Sequence, residues 1–316
     1  MDKKYAYYPG CSLHSTGSEY DKSFKLVAKK LGMELEEVPG WICCGTSPAH
    51  SSSHLLSIAL PVKNLALVET MDEKVVVPCA ACYSRFKFAI YEMDHDKKLA
   101  EDVKEVIGSS FQNKVKVLHP LEIISTLPAP TLKGLVKKSS NDLKVVCYYG
   151  CLLTRPPKVM QFAKQSPAKD GINSVPTDVG DDPEYPMTMD KVLENVGYEV
   201  LDWSYKTDCC GASFALSETD AVLTLTHKIL ENAKAVGANA IAVACPLCHA
   251  NLDTRQTEIN AKYNTTYNIP IYYFTQLMGL VFGYDQKELG INKHLTDATI
   301  QRSSPSGNAA VMAEKV

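Results

Sequence analysis

The chain has 316 residues, room for two compact domains at about 100–200 residues each. A composition of 45% hydrophobic and 22% charged residues is that of a soluble protein, and a net charge of −3 excludes the broad basic field that nucleic acid or an anionic membrane surface would need. The start, Met1-Asp2-Lys3-Lys4-Tyr5, lacks the apolar core of a signal peptide, and no apolar run nears the ~20 residues that cross a bilayer, so a cytoplasmic protein without a membrane span is expected.

In chain order, Tyr5 to Pro9 reads as a short strand running into Gly10-Cys11. From about Glu19 to Leu31 the residues Tyr20, Phe24, Val27, Ala28 and Leu31 recur at three and four, an amphipathic helix that Gly32 stops. Glu34 to Pro39 is a second strand that delivers the chain to Cys43-Cys44. A helix follows over His54 to Met71, then a buried strand Val75 to Val77. Pro78-Cys79-Ala80-Ala81-Cys82 opens a helix that runs to about Tyr91. Val115 to Leu118 is a strand ending at His119-Pro120, with another helix after it.

A second half repeats this order. Val145 to Tyr149 is the strand before Gly150-Cys151, Met189 to Val196 a helix, and Glu199 to Leu201 a strand before Cys209-Cys210. Ala221 to Val236 is a long helix with Leu225, Ile229 and Ala233 on one face, Ala240 to Ala244 a buried strand before Cys245, and Pro270 to Phe274 the last strand. Alternating strands and helices predict an α/β fold, two similar pseudo-repeat domains with short, mainly parallel sheets and metal sites at the strand ends. The expected division is 1–128 and 143–290, with a linker at 129–142 and a tail at 291–316 that contains the polar stretch Ser303 to Asn308.

The cysteines carry the chemistry. Ten of the eleven form two sets of one design, C…CC-G…C-x-x-C: Cys11, Cys43, Cys44, Cys79 and Cys82, then Cys151, Cys209, Cys210, Cys245 and Cys248. The pairs and the C-x-x-C motifs are both offset by 166 positions, whereas the lone cysteines are offset by 140. The 26 extra residues fall at about 156–186, which reads as an inserted surface loop. Thiols at i and i+3 share one face of a first helical turn and gain from its positive end. Soft thiolates select zinc, copper(I) or iron–sulfur clusters. Adjacent side chains such as Cys43 and Cys44 diverge, which suits two atoms of one cluster better than one ion. Five ligands exceed what a four-coordinate zinc site or a simple cubane takes, and no ferredoxin spacing is present. Cys147, inside a strand, reads as a small buried hydrophobe.

These motifs resemble the CCG domains of the B-type subunits of heterodisulfide reductase over nearly the whole chain, including Gly290-Ile291-Asn292-Lys293-His294; the second module departs from the family spacing by its insertion. The resemblance implies one noncubane [4Fe-4S] cluster held by each five-cysteine set. It further implies that a small-molecule disulfide binds between the two clusters, each giving one electron to the S–S bond, with coenzyme M–coenzyme B the disulfide expected in a methanogen. It also implies ferredoxin-like and flavin-containing subunits of a heterodisulfide reductase complex as partners, with hydrogenase or formate dehydrogenase parts in bifurcating complexes. The alternatives are an electron-transfer CCG subunit of a quinone-linked, lactate, glycolate or fumarate-type oxidoreductase, and a zinc-stabilised scaffold. His14 and His249 are candidate proton donors or supporting groups, Arg155 a candidate anchor for an anionic substrate group, and His119 is read as structural.

Overall fold

The computed structural model describes residues 4–46, 48–71, 74–139, 142–156 and 181–298; most of the expected insertion and the end of the tail lie outside them. Eight strands form two four-stranded sheets. The first holds β1 (Lys4–Tyr7), β2 (Glu34–Glu37), β3 (Lys74–Val76) and β4 (Lys116–Leu118) in the order β2-β1-β3-β4. The second holds β5 (Lys144–Tyr148), β6 (Glu199–Val200), β7 (Ala240–Val243) and β8 (Ile271–Tyr273) in the order β6-β5-β7-β8. Every pairing is parallel. The α/β class and the two-fold repeat are therefore as expected.

Strand character follows position in the sheet. Central β7 is Ala-Ile-Ala-Val and wholly buried, as a parallel strand covered on both faces must be. Edge strand β2 is Glu-Leu-Glu-Glu and largely exposed, its charges discouraging further pairing. Strands end sooner than periodicity predicts, because β1 and β5 give way to Gly10 and Gly150 at positive φ. The helix Ser18–Lys30 buries Tyr20, Phe24, Val27 and Ala28, with Glu19 and Asp21 in its first turn and Lys29 and Lys30 in its last, each favoured by the helix dipole.

Several helices appear that apolar periodicity did not predict. Pro48–Ser52 and Gln256–Tyr263 are short, and Lys97–Ile107 follows the C-x-x-C helix Ala80–His95 directly. Asp96 separates these last two, accepting the Leu99 N–H at 2.9 Å, and Gly108 in the left-handed region ends the second. The segment after 128 contains the helix Ala129–Gly134 with Leu132 buried, and the N–H groups of Lys137 and Lys138 both reach the Val281 carbonyl.

The halves pack reciprocally. Helix Ser18–Lys30 lies on Phe274–Val281 of the second half, and its counterpart Thr188–Asn195 lies on Pro120–Ser125 of the first. The C-x-x-C helix Ala80–His95 meets the short helix Cys151–Thr154, while Pro246–Thr254 meets Gly10–His14. Each half thus presents its strand ends to the other about a pseudo-two-fold axis. Ser23 and Thr275 hydroxyls bond across the boundary at 2.7 Å. The segment from Gly290 closes it: a Cβ at Gly290 would come within 2.7 Å of Glu19, and Lys293 reaches Ser18 at 2.8 Å.

Candidate metal centre

Each lone cysteine follows a glycine that makes room for another sulfur. A Cβ on Gly10 would fall 3.2 Å from the Cys82 sulfur, and one on Gly150 2.9 Å from the Cys248 sulfur. Just before each glycine turn stands a buried tyrosine: Tyr8 donates to the Ile42 carbonyl at 2.8 Å and Tyr148 to the Asp208 carbonyl at 2.6 Å. Ile42 and Asp208 directly precede the two cysteine pairs, so one phenol per half ties the lone cysteine's strand to the pair's loop. Reasoning from the sequence missed both. The signal was an aromatic three places before the cysteine in Tyr8-Pro9-Gly10-Cys11 and Tyr148-Tyr149-Gly150-Cys151.

Within each pair the first cysteine is exposed and the second buried. Gly45 and Gly211, at φ +75°, turn their N–H groups onto the Cys43 and Cys209 sulfurs at 3.4 and 3.3 Å. Buried asparagines hold the same loops, Asn64 accepting the Ile42 N–H at 2.8 Å and Asn251 donating to the Cys210 carbonyl at 2.9 Å. Cys79 and Cys245 sit at the helix starts, as expected. Cys82 and Cys248 lie 3.2 and 3.6 Å, sulfur to sulfur, from Cys44 and Cys210.

Crowded thiols compete for protons. Hydrogen bonds from Cys43 and Cys82, then Thr46, hold Cys44 down to about 3, while Cys43 is pushed up chiefly by the same bond to Cys44. In the second half the bond runs instead between Cys151 and Cys209, drawing Cys209 down to about 6 with help from the Gly211 N–H and the Arg155 charge. Arg155 is exposed and close enough to act on that sulfur. Arg85, partly buried, feels the charge of Cys44 in the first half and was not anticipated.

The two sets meet at the axis. Cys79 and Cys245 are close enough to perturb each other's ionisation across the boundary, and each is likewise perturbed by its own C-x-x-C partner. Cys44, Cys82, Cys79, Cys245, Cys248 and Cys210 thus follow one another in a continuous row of thiol contacts. Among the described residues no three Cys, His, Asp or Glu side chains close around a single ion position. A cavity opens among Cys151, Cys209, Cys210, Cys245 and Cys248, with Ala80 of the other half in its wall. Soft donors in a row, glycine clefts filled by sulfur and N–H groups aimed at sulfur fit a multi-iron sulfide group.

Two groups beneath the sets set their geometry. His119 is fully buried; its Nδ1 accepts the Leu121 N–H, so Nε2 carries the hydrogen and faces the Pro78 and Ala244 carbonyls at 2.9 and 3.2 Å. Those residues immediately precede Cys79 and Cys245, which makes His119 a bridge between the halves. Under the second set, Lys206 and Asp190 form a buried ion pair at 2.5 Å, Tyr149 donates to Asp190 at 2.6 Å, and the Lys206 carbonyl accepts the Tyr149 and Gly150 N–H groups. The positions 166 earlier hold Gly40 and Phe24, so the first half has no such pair.

Residues 5–87 and 145–253 match the family model of the cysteine-rich CCG domain. The chain belongs to the CCG family. A relative from Wolinella succinogenes, the membrane anchor subunit of 8-methylmenaquinol:fumarate reductase, is 28% identical over 95% of this chain and 99% of its own. The B subunit of the ferredoxin/F420H2-dependent CoB-CoM heterodisulfide reductase of Methanosarcina acetivorans is 28% identical over 92% of this chain and 93% of its own. A solved structure from Helicobacter pylori, described as a hypothetical protein, shares the fold at a TM-score of 0.72 and 13% identity, over 95% of this chain and 53% of that one. Among the described residues no helix is long and apolar enough to cross a membrane.

The remaining candidates of the CCG modules separate by burial. His14 is exposed at the surface beside Cys11's turn, its Nε2 3.2 Å from Glu37 and its ring edge-on to Trp41. His249 is buried, its Nε2 3.1 Å from the Ile271 carbonyl, and burial, with His294 next, pushes its pKa well down. Cys147 is fully buried, and burial first, then the charge of Asp190, pushes its thiol well up.

Proposed function

We propose that this chain is the disulfide-reducing subunit of a heterodisulfide reductase-type complex. Cys11, Cys43, Cys44, Cys79 and Cys82 would hold one noncubane [4Fe-4S] cluster, and Cys151, Cys209, Cys210, Cys245 and Cys248 the other. The observation that carries this reading is the meeting of two complete sets at Cys79 and Cys245. When bound, the clusters supply one electron each, so that one disulfide, two electrons and two protons yield two thiols. The chain's part is to hold that junction in register through His119, Tyr8 and Tyr148, and to set Arg85 and Arg155 beside the two sets, where a guanidinium favours thiolate and an anionic substrate group. Cys11, Cys43 and Cys209 are exposed, leaving a face of each set open to an electron-donating partner. Ferredoxin-like and flavin-containing subunits are the expected donors.

A second reading, an electron-transfer subunit of a fumarate-type oxidoreductase, is favoured by the Wolinella relative, which matches over nearly its full length. One experiment separates them. Anaerobically purified protein should contain roughly eight iron and eight sulfide per chain, as two four-iron clusters require, and once reduced should release thiols from a low-molecular-weight heterodisulfide such as coenzyme M–coenzyme B. Zinc without sulfide would end the iron–sulfur reading. Full iron with electron passage to a quinone-linked partner, and no thiol from any disulfide, would select the second.

A further inference from the structure

Two buried phenols stand where the sets meet. Tyr20, on the first-half helix Ser18–Lys30, and Tyr273, at the end of β8, are wholly buried and lie face to face, ring centroids 4.4 Å apart and planes at 8°. His249 covers the other face of Tyr273 at the same spacing. Neither phenol oxygen has a hydrogen-bond partner among the described residues. The other buried tyrosines near the two sets differ: Tyr8, Tyr148, Tyr149 and Tyr272 each donate to a carbonyl or carboxylate. A buried hydroxyl left unpaired forfeits the hydrogen bonds it makes in water, and two in one stack call for an acceptor.

Their surroundings say where that acceptor lies. Beyond burial, the charges of Cys245 and Cys79 act on Tyr20, and on Tyr273 the charge of Glu19 acts first, followed by those of the same two thiols. A Cβ at Gly17 would lie 3.0 Å from Pro246, the residue after Cys245, and 3.4 Å from the Tyr273 hydroxyl, so that hydroxyl borders the start of the second C-x-x-C helix. His249 does not compete as a donor, since its Nε2 is engaged with the Ile271 carbonyl. Burial first, then the charges of Glu19 on Tyr273 and of the two thiols on both rings, raise the phenols' pKa values, so their protons stay in place and they act by donating, not by transferring.

We propose that Tyr20 and Tyr273 are positioning residues whose hydroxyls donate hydrogen bonds to a non-protein sulfur held at the Cys79–Cys245 junction. This rests on the reading that the two sets hold iron–sulfur clusters. The acceptor is either a cluster sulfide or a sulfur of the bound disulfide, which gains negative charge as the S–S bond is reduced. No bond is made or broken by the phenols.

The test uses the intact, cluster-loaded protein carrying Tyr20→Phe, Tyr273→Phe or both, with Tyr272→Phe as the control whose hydroxyl already has the Ala298 carbonyl as partner. Phenylalanine keeps the stack and removes only the oxygen. Iron and sulfide content is measured first, then midpoint potentials by spectroscopically monitored titration, with and without a heterodisulfide. Iron content should match the parent in all four variants. Potentials should move negative in the Tyr20 and Tyr273 variants and stay put in the control, because lost donor bonds destabilise the more negative reduced sulfur. A shift in the resting protein identifies a cluster sulfide; a shift seen only with disulfide bound identifies the substrate sulfur. Unchanged potentials in both states of the double variant would overturn the inference while leaving the functional reading intact. A parent protein without iron and sulfide would overturn both, and does so before any variant is made.

Discussion

Gly150 marks how little room the second set has. Its backbone, at φ +69° and ψ 177°, belongs to a region nearly reserved for glycine, and a Cβ would strike the Cys248 sulfur at 2.9 Å. Gly150→Ala should therefore cost about 1–3 kcal/mol of backbone strain and displace a ligand, losing roughly half of the iron and sulfide, the share of one of two clusters. Cys147→Ser, at a fully buried thiol outside both sets, should leave metal content unchanged. Equal loss from both changes would undo the five-plus-five assignment. A second substitution probes the ground beneath the same turn. Lys206→Met strands the buried Asp190 carboxylate and should destabilise the protein by about 3–5 kcal/mol, whereas Lys206→Met with Asp190→Leu should recover most of that. Denaturant unfolding of the single and double variants reads the difference. A double variant no more stable than the single would clear the ion pair of responsibility.

Strand ends and helix starts are joined through His119, which links the close of β4 to the starts of both C-x-x-C helices. Burial pushes its pKa down to about 4 from an ordinary 6.5. The unfolded chain thus takes up the proton first, so the histidine's contribution is full above pH 6.5 and is lost as pH falls toward 4, at about 1.4 kcal/mol for each pH unit of that window. Glu122, which accepts the His119 N–H, is pushed up by burial and works in the opposite sense, gaining as pH falls. Urea unfolding across this range should show a shallower acid loss in His119→Gln, which keeps a donor but cannot ionise. Parallel pH profiles for the two proteins would place the acid sensitivity elsewhere.

Reciprocal packing makes the two modules one unit. Helix Ser18–Lys30, which buries Tyr20 and Phe24, lies on Phe274–Val281, and helix Thr188–Asn195, which buries Met189 and Val192, lies on Pro120–Ser125. Separating the halves would expose two apolar helix faces at once, and burial of such faces is what holds small domains together. Calorimetry should accordingly show one cooperative transition, with calorimetric and van't Hoff enthalpies in agreement. Two resolved transitions would mean that the modules fold independently and that the junction at Cys79 and Cys245 is a loose docking.

Much of this protein is legible in the order of its residues. Ten cysteines in two sets of one design, eight of them at a common offset, glycines beside them and alternating short strands and helices specify the α/β class and the repeat, because spacing and periodicity govern local geometry. The helix Lys97–Ile107 escaped notice even so, its boundary resting on a single Asp96 cap. What the sequence does not contain is which surfaces of the two halves touch. Cys79 meeting Cys245, His119 reaching Ala244, and Tyr20 stacking on Tyr273 join residues far apart in the chain. His14 and His249 make the point most sharply. Both neighbour a cysteine in sequence, yet one faces solvent beside Glu37 and the other is sealed in an aromatic stack. Spacing to the nearest cysteine says nothing of this, since burial is set by the packing of whole faces from both halves at once.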